Sequence, residues 1–255
     1  AEDRNAKSRW PIALFALLLA VGAALVLLDR NKAPDIRLLR ESHPRRIMGT
    51  SCRLLTVERR ADRGIGKGQA PKALRAGEST LRAIEGKMSS WIGSSELSRF
   101  NAAPASSEAP LSAGTRAVLE SAKALHQASG GAFDITCRPL IQLWRKAGKA
   151  GKLPSDADLR AARQASRWQQ IELTAKGAKK RLASARVDLG GIAKGYGIDR
   201  AAEAMEKAGV AGGMVDVGGD LRVFGLAPRG AHWLVAIRDP FGGSRRKAKV
   251  LSTLK

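Results

Sequence analysis

The sequence predicts an α+β fold of mixed or antiparallel sheets with packed helices, preceded by one N-terminal transmembrane helix. Three observations carry that prediction. Strand-like patterns occupy 45–57 and return at 212–240 between glycine pairs. Between them the apolar residues recur at helical spacing. Near the start stands an uncharged run of eighteen residues, PIALFALLLAVGAALVLL, at 11–28. An all-helical or all-β fold suits neither of the first two patterns.

Taken in order, the apolar run comes first. At 1.5 Å per residue it spans about 27 Å, enough for the hydrocarbon core, and Trp10 adds an interfacial ring. Arg4, Lys7 and Arg9 precede it and Arg30 and Lys32 follow, so the flanking charge is nearly symmetric. A short leading segment stays inside, which exports everything after Asp29. Cleavage as a signal peptide at VGAA is disfavoured because Leu25–Leu28 continue the apolar run. The expected division is a tail at 1–9, an anchor or signal segment at 10–28, a basic, partly extended linker at 29–45, and a domain over 46–255.

Within that domain RRIMGTSCRLLTV reads as a first strand, with Cys52, Leu54 and Thr56 on one face. Ala73, Leu74, Leu81 and Ile84 give 70–85 a helical stripe, and Gly86 is placed to end it. SSWIGSSELSRFN reads as a polar loop or short turn structure. Ser112 or Thr115 caps a helix that stops at Gly130-Gly131. Ser155 opens another, with Asp158 in a capping-box-like position. WQQIELTAKGAKKRLAS reads as a hairpin, ARVDL as a strand, 194–208 as a helix, and the remainder as short strands.

Charge is the unusual bulk property. Forty-five Lys and Arg against twenty-three Asp and Glu give +22, which favours anionic partners. The basic residues are spread along the chain, aromatics are only 4%, and no zinc-finger ligand set is present. Nucleic-acid binding therefore lacks the stacking platforms it needs. Cys52 and Cys137 make no disulfide scaffold, and His43, His126 and His232 are too scattered for a transition-metal site.

The densest chemistry lies at VDLGGIAKGYGID, 187–199. Gly190, Gly191, Gly195 and Gly197 fit neither the dinucleotide fingerprint nor a P-loop. Two readings stand: a tight turn, or a loop whose amides at a helix start and whose Lys194 meet a phosphate, with Asp188 just ahead. MVDVGGD at 214–220 reads as a hairpin turning on its glycines, which could also bring Asp216 and Asp220 near that place. Asp134, between Phe133 and Ile135, needs amide or hydroxyl partners if buried.

Six segments, IMGTSC, MSSWIGSSELSRFN, SGGAFDITCRPLIQLW, VDLGGIAKGYGIDRA, MVDVGGDLRVFG and WLVAIRDP, stand in order over 46–240. In that set and order the chain resembles the ApbE family of FAD:protein FMN transferases. The resemblance implies an ApbE-like fold and a Mg²⁺-dependent transfer of FMN from FAD to a Thr or Ser hydroxyl of an acceptor protein, with AMP leaving. It also implies a bacterial inner-membrane protein, single-pass, with its domain facing the periplasm or the cell exterior. By the same resemblance Met48 lines the FAD pocket, and Trp91 stands where the family carries a flavin-stacking tyrosine. Ala132, Phe133 and Asp134 surround FAD, Asp188 contacts it, Lys194 meets its phosphates, and the Gly191 carbonyl binds Mg²⁺.

The family pattern continues past Lys255 with a His-containing stretch and an Asp and Thr that complete the magnesium shell. The expectation is therefore a C-terminally incomplete domain, a fragment of an active type, that transfers little FMN by itself. Two alternatives come with it: a non-catalytic, membrane-tethered FAD binder, and a basic adaptor for polyanions.

Overall fold

The computed structural model describes residues 37–59, 69–229, 232–241 and 250–254. Its main sheet has the order β1 (Arg37–Ser42), β2 (Cys52–Arg59), β6 (Gly212–Val217), β7 (Asp220–Gly225), with every neighbouring pair antiparallel. β3 (Ala109–Pro110), β5 (Gly177–Lys180) and β4 (Ile171–Leu173) form a second sheet, and β8 (Val235–Arg238) pairs with β9 (Val250–Leu254). The helices are α1 (Gln69–Met88), α2 (Glu96–Ala102), α3 (Ala113–Ala128), α4 (Arg138–Ala150), α5 (Asp156–Ala165) and α6 (Ala193–Lys207).

β2 shows why simple alternation fails here. Leu54, Leu55, Thr56 and Val57 are all buried, because both faces of this central strand are covered. β1 lies inside the stretch read as a linker and covers the outer edge of β2. The β6–β7 hairpin turns on Gly218 and Gly219, whose φ values of +67° and +97° are left-handed and suit a two-residue turn with the strand twist.

One face of the main sheet is covered by α1 and α6. Ala73 and Leu81, Ile198, Ala201 and Met205, and Leu54, Val215 and Val217 make one apolar core. The helices approach closely at Gly77, where an added Cβ would stand 2.8 Å from the Met205 sulfur. α1 runs through Gly86 to Met88 rather than ending at it. A mid-helix glycine costs about 1 kcal/mol, and the burial of Ile84 and Met88 on either side outweighs it.

A second core gathers Leu97 and Phe100 of α2, Val118 and Leu119 of α3, and Ala178, Val187 and Leu189. The segment read as a polar loop thus contains a helix, capped by Ser95, whose hydroxyl accepts from the Ser98 amide. Its first residue, Glu96, ties α2 to α3. One carboxylate oxygen accepts from the Ser112 amide at 3.0 Å, the Ser112 hydroxyl at 2.9 Å and the Thr115 hydroxyl at 2.7 Å. Burial pushes this carboxyl up, but the three donors outweigh it and hold it below the usual carboxylate value. Glu96→Ala is expected to cost about 2 kcal/mol in urea unfolding at neutral pH. Because the folded-state value is depressed, that contribution is present above the ordinary carboxylate range and lost as pH falls through the folded one. Equal stability of variant and parent at neutral pH would refute the tie.

The Ser155 cap on α5 is present as expected, accepting from the Asp158 amide at 3.1 Å. The hairpin turn falls between β4 and β5, closed by the Thr174 amide on the Gly177 carbonyl. Both cysteines are free.

The transmembrane expectation is corrected. Among the described residues no helix is long and apolar enough to cross a membrane. α1 has the length, at 20 residues, but carries Lys72, Arg75, Glu78, Arg82, Glu85 and Lys87. The segment 10–28 lies outside the described residues. Nothing among the described residues supports the anchoring helix, the membrane as a partner or the single-pass inner-membrane location.

Candidate functional site

The site grows from a stretch of chain that forms no ladder. ARVDL, expected as a strand, belongs to none, because its backbone groups bond elsewhere. The buried Asn101 side chain clamps both groups of Val187, accepting from its amide at 2.8 Å and donating to its carbonyl at 2.9 Å. The Asp188 amide donates to the Ile135 carbonyl at 2.7 Å. Held there, Asp188 turns the chain into α6. One carboxylate oxygen accepts from the Gly190 amide at 2.9 Å. The other accepts from Arg138 at 2.7 Å and from the Ser90 hydroxyl at 3.0 Å.

Arg138 also donates to the Ser90 carbonyl at 2.9 Å, so the guanidinium ties the 188 turn to the loop between α1 and α2. The Ser95 hydroxyl donates to the Ser89 carbonyl at 2.6 Å and steadies the same loop. Trp91 stands on it, 74% exposed. The Arg145 guanidinium lies 4.8 Å from its ring centre and that of Arg138 lies at 5.9 Å.

Opposite, the Ile47–Thr50 bridge places Met48 in the left-handed region at φ +49°. This is an uncommon conformation for a side-chain-bearing residue. Its amide donates to Glu85 of α1 at 2.8 Å.

These pieces enclose a cavity of about 290 Å³ whose wall includes Met48, Glu85, Trp91, Asp188 and Lys194. Ile84, Met88, Ile92 and Leu189 make much of that wall apolar. At one end stands the start of α6, which no side chain caps. Lys194, in its first turn, forms an ion pair with Asp220 of the β6–β7 hairpin at 2.7 Å. The Ala193 amide already donates to the Leu189 carbonyl at 2.8 Å, but an apolar slot ending in a helix start without a side-chain cap and in a lysine suits a planar heterocycle with an anionic tail. Its volume is at the low end of the roughly 300–1,000 Å³ typical of ligand pockets. That matches a ring system and part of its tail better than a whole enclosed dinucleotide.

Of the residues singled out in the sequence, Met48, Trp91, Asp188 and Lys194 meet at this cavity. Ala132, Phe133, Asp134 and Gly191 are not on its wall. Phe133 backs the turn, 3.4 Å from where a Cβ on Gly191 would stand. Asp134 finds the partners its position demands, accepting from the Thr136 amide at 2.8 Å and the Thr136 hydroxyl at 2.6 Å. Sequence reasoning passed over Glu85, Ser90 and the anchoring role of Arg138. The one available signal was an arginine in the FDITCRPL segment, close behind Asp134.

The metal-binding expectation is corrected. Among the described residues no group of three or more His, Cys, Asp or Glu could hold a metal ion. Hard cations require several oxygen ligands, so the Gly191 carbonyl alone makes no Mg²⁺ site. Cysteine chemistry is also absent from the cavity. Burial, reinforced by Asp188, pushes the Cys137 thiol up, and burial pushes Cys52 up to about 11, so both stay protonated at neutral pH.

Comparison with known proteins places the fold. A family model described as the ApbE family matches residues 48–255. The chain is similar to the FAD:protein FMN transferase of Vibrio cholerae, 32% identical over 173 residues, 67% of this chain and 52% of the relative. It is 35% identical to the Haemophilus influenzae protein of the same name over 173 residues, 64% of this chain and 49% of that one. It thus spans about half the length of these two relatives. Among solved structures, the flavin transferase ApbE from Vibrio cholerae matches with a TM-score of 0.70 at 27% identity, covering 86% of this chain and 68% of that one. The apo form of the flavinyl transferase ApbE from Pseudomonas stutzeri matches with a TM-score of 0.70 at 25% identity, covering 86% and 66%.

Proposed function

The chain belongs to the ApbE family, and on that premise we propose that it acts in flavin transfer, moving FMN from FAD to a Thr or Ser hydroxyl of an acceptor protein. The observation that carries the reading is the convergence of Met48, Trp91, Asp188 and Lys194, far apart in sequence, on one largely apolar cavity that ends at the first turn of α6.

In this reading Met48 and the apolar wall hold the ring system, and Trp91 offers a π-face at the mouth. Asp188 receives a polar group of the flavin side and keeps Arg138 and Ser90 in place. Lys194 and the first amides of α6 neutralise the diphosphate. Phe133 backs the turn, and Ala132 and Asp134 are assigned to the surroundings of FAD by family resemblance alone. The acceptor oxygen bonds to the flavin-side phosphorus as the bond from that phosphorus to the AMP oxygen breaks, and the hydroxyl proton passes to water. Such a transfer depends on positioning and charge neutralisation, which is what these residues supply.

The test joins binding to transfer. FAD fluorescence is titrated with the protein, and covalent flavin is then sought on an acceptor protein by in-gel fluorescence, with and without added divalent cation. Lys194→Ala is expected to raise the Kd for FAD about tenfold, roughly 1.4 kcal/mol. Asp220→Ala, which frees Lys194 from its ion pair, shifts Kd the opposite way. Unchanged FAD affinity in Lys194→Ala removes the phosphate role, and no saturable FAD binding by the parent removes the whole reading.

A further inference from the structure

Beside the cavity, on the other side of Trp91, lies a second groove of about 570 Å³. Its floor is α4, a helix with no buried residue and no Asp or Glu. Arg138, Gln142, Arg145 and Lys149 stand at i, i+4, i+7 and i+11, one face of the helix, and Lys146 lies next to them. All five line the groove together with Trp91. Arg138 is committed to Asp188, but Arg145, Lys146 and Lys149 form no ion pair among the described residues. Three exposed, uncompensated cations within two helical turns, less than a Debye length apart, make a concentrated positive field.

The groove also carries an aromatic anchor. A tryptophan exposed to 74% is costly on a free surface, even with two guanidinium groups near its ring. Trp and Arg are also the residues that most often dominate binding energy at protein interfaces.

We propose that this groove docks an acidic polypeptide segment, and, resting on the flavin-transfer reading, that the segment belongs to the acceptor protein beside its modified hydroxyl. Trp91 lines both the groove and the cavity, so a chain lying along α4 reaches the cavity mouth at that ring. Length and chemistry favour polypeptide over nucleic acid. The 13 residues of α4 extend about 20 Å, room for about six residues of extended chain. Trp91 is the one ring lining the groove among the described residues, and a guanidinium already lies on it. Successive bases therefore find no row of stacking platforms.

The test compares the whole chain with its K146E/K149E variant, both of whose changes fall on exposed lysines away from the cavity. Three labelled probes are titrated by fluorescence anisotropy: a short peptide of Asp, Glu and Gly with one central Thr, the same peptide with Lys for each acid, and an oligothymidylate of equal charge. FAD affinity is measured in parallel, with circular dichroism to check the fold. The expected result is selective binding of the acidic peptide, weakened by salt and at least tenfold poorer in the variant, with FAD affinity the same in both proteins. Equal peptide affinity in parent and variant overturns the proposal, as does tighter binding of the oligonucleotide than of the peptide. If the peptide result holds while neither protein binds FAD, the groove stands as an acidic-segment site and the flavin reading falls by itself.

Discussion

Asp188→Ala is expected to lower stability by about 3 kcal/mol and to weaken FAD binding at least thirtyfold. Both effects arise from one carboxylate with three partners. The Arg138–Asp188 pair is largely sheltered, with side-chain exposures of 12% and 21%, and removing one member of such a pair leaves an uncompensated charge. That loss costs roughly 3–5 kcal/mol when burial is complete, and the residual exposure here puts the value at the lower end. The Ser90 hydroxyl and the Gly190 amide lose their acceptor at the same time. The loop bearing Trp91 and the turn into α6 then come apart, and those are the two walls between which the cavity lies.

One further variant separates structure from binding. Arg138→Met in the Asp188→Ala background removes the stranded charge and is expected to recover much of the lost stability in urea unfolding. FAD affinity should stay low, because Asp188 is also assigned a contact to the ligand. Recovery of FAD affinity along with stability would reduce Asp188 to a positioning residue acting through Arg138. Parent-like FAD binding by Asp188→Ala would remove it from the site.

The parts of this architecture that were legible in the sequence are those fixed by local chemistry. Ser155 with Asp158 marks the start of α5, and paired glycines at 218–219 mark a hairpin. The return of helical spacing after Gly191 gives α6 to within a residue. The parts that were not legible depend on partners distant in the chain. Nothing near Asn101 announces that its amide replaces a neighbouring strand for Val187, 86 positions away. ARVDL therefore carries a strand pattern without a sheet. Gly86 carries a stop signal overridden by the packing of Ile84 and Met88. SSELSRFN reads as polar because its hydroxyls and its carboxylate are spent on capping and on α3, while only Leu97 and Phe100 show the buried face. At the site, Asp188 and Lys194 were legible in the glycine segment as one of two open readings, whereas Met48 and Trp91 entered through the family resemblance. Arg138, which holds two of the cavity walls together, could be found only once the fold had brought it to Asp188.

Lys180 carries the second large prediction, and it connects the core to the same turn. Its side chain is 1% exposed, and its ammonium donates to the Asn101 carbonyl at 2.8 Å and to the Ala183 carbonyl at 3.3 Å. Asn101 in turn clamps Val187, the residue before Asp188. Burial, helped by the nearby Arg186 charge, pulls the Lys180 pKa from 10.5 down to about 8. Between those two values the unfolded chain binds the proton that the native chain has released, so native stability rises with pH across that window. At about 1.4 kcal/mol per unit the rise from this group approaches 3 kcal/mol.

Lys180→Met is not expected to reveal this at a single pH. Near neutrality it removes the buried charge, which stabilises, but strands two carbonyl groups at about 1–3 kcal/mol each, which destabilises, and the two effects nearly cancel. The slope decides. Unfolding free energies of parent and variant measured from pH 7 to 10.5 should diverge in the parent's favour by about 2–3 kcal/mol, the change beginning near pH 8. A constant difference across that range would mean that Lys180 keeps its proton in the native core, held by the two carbonyls alone. FAD affinity should also fall in the variant, since freeing the Asn101 carbonyl loosens the clamp that sets Asp188.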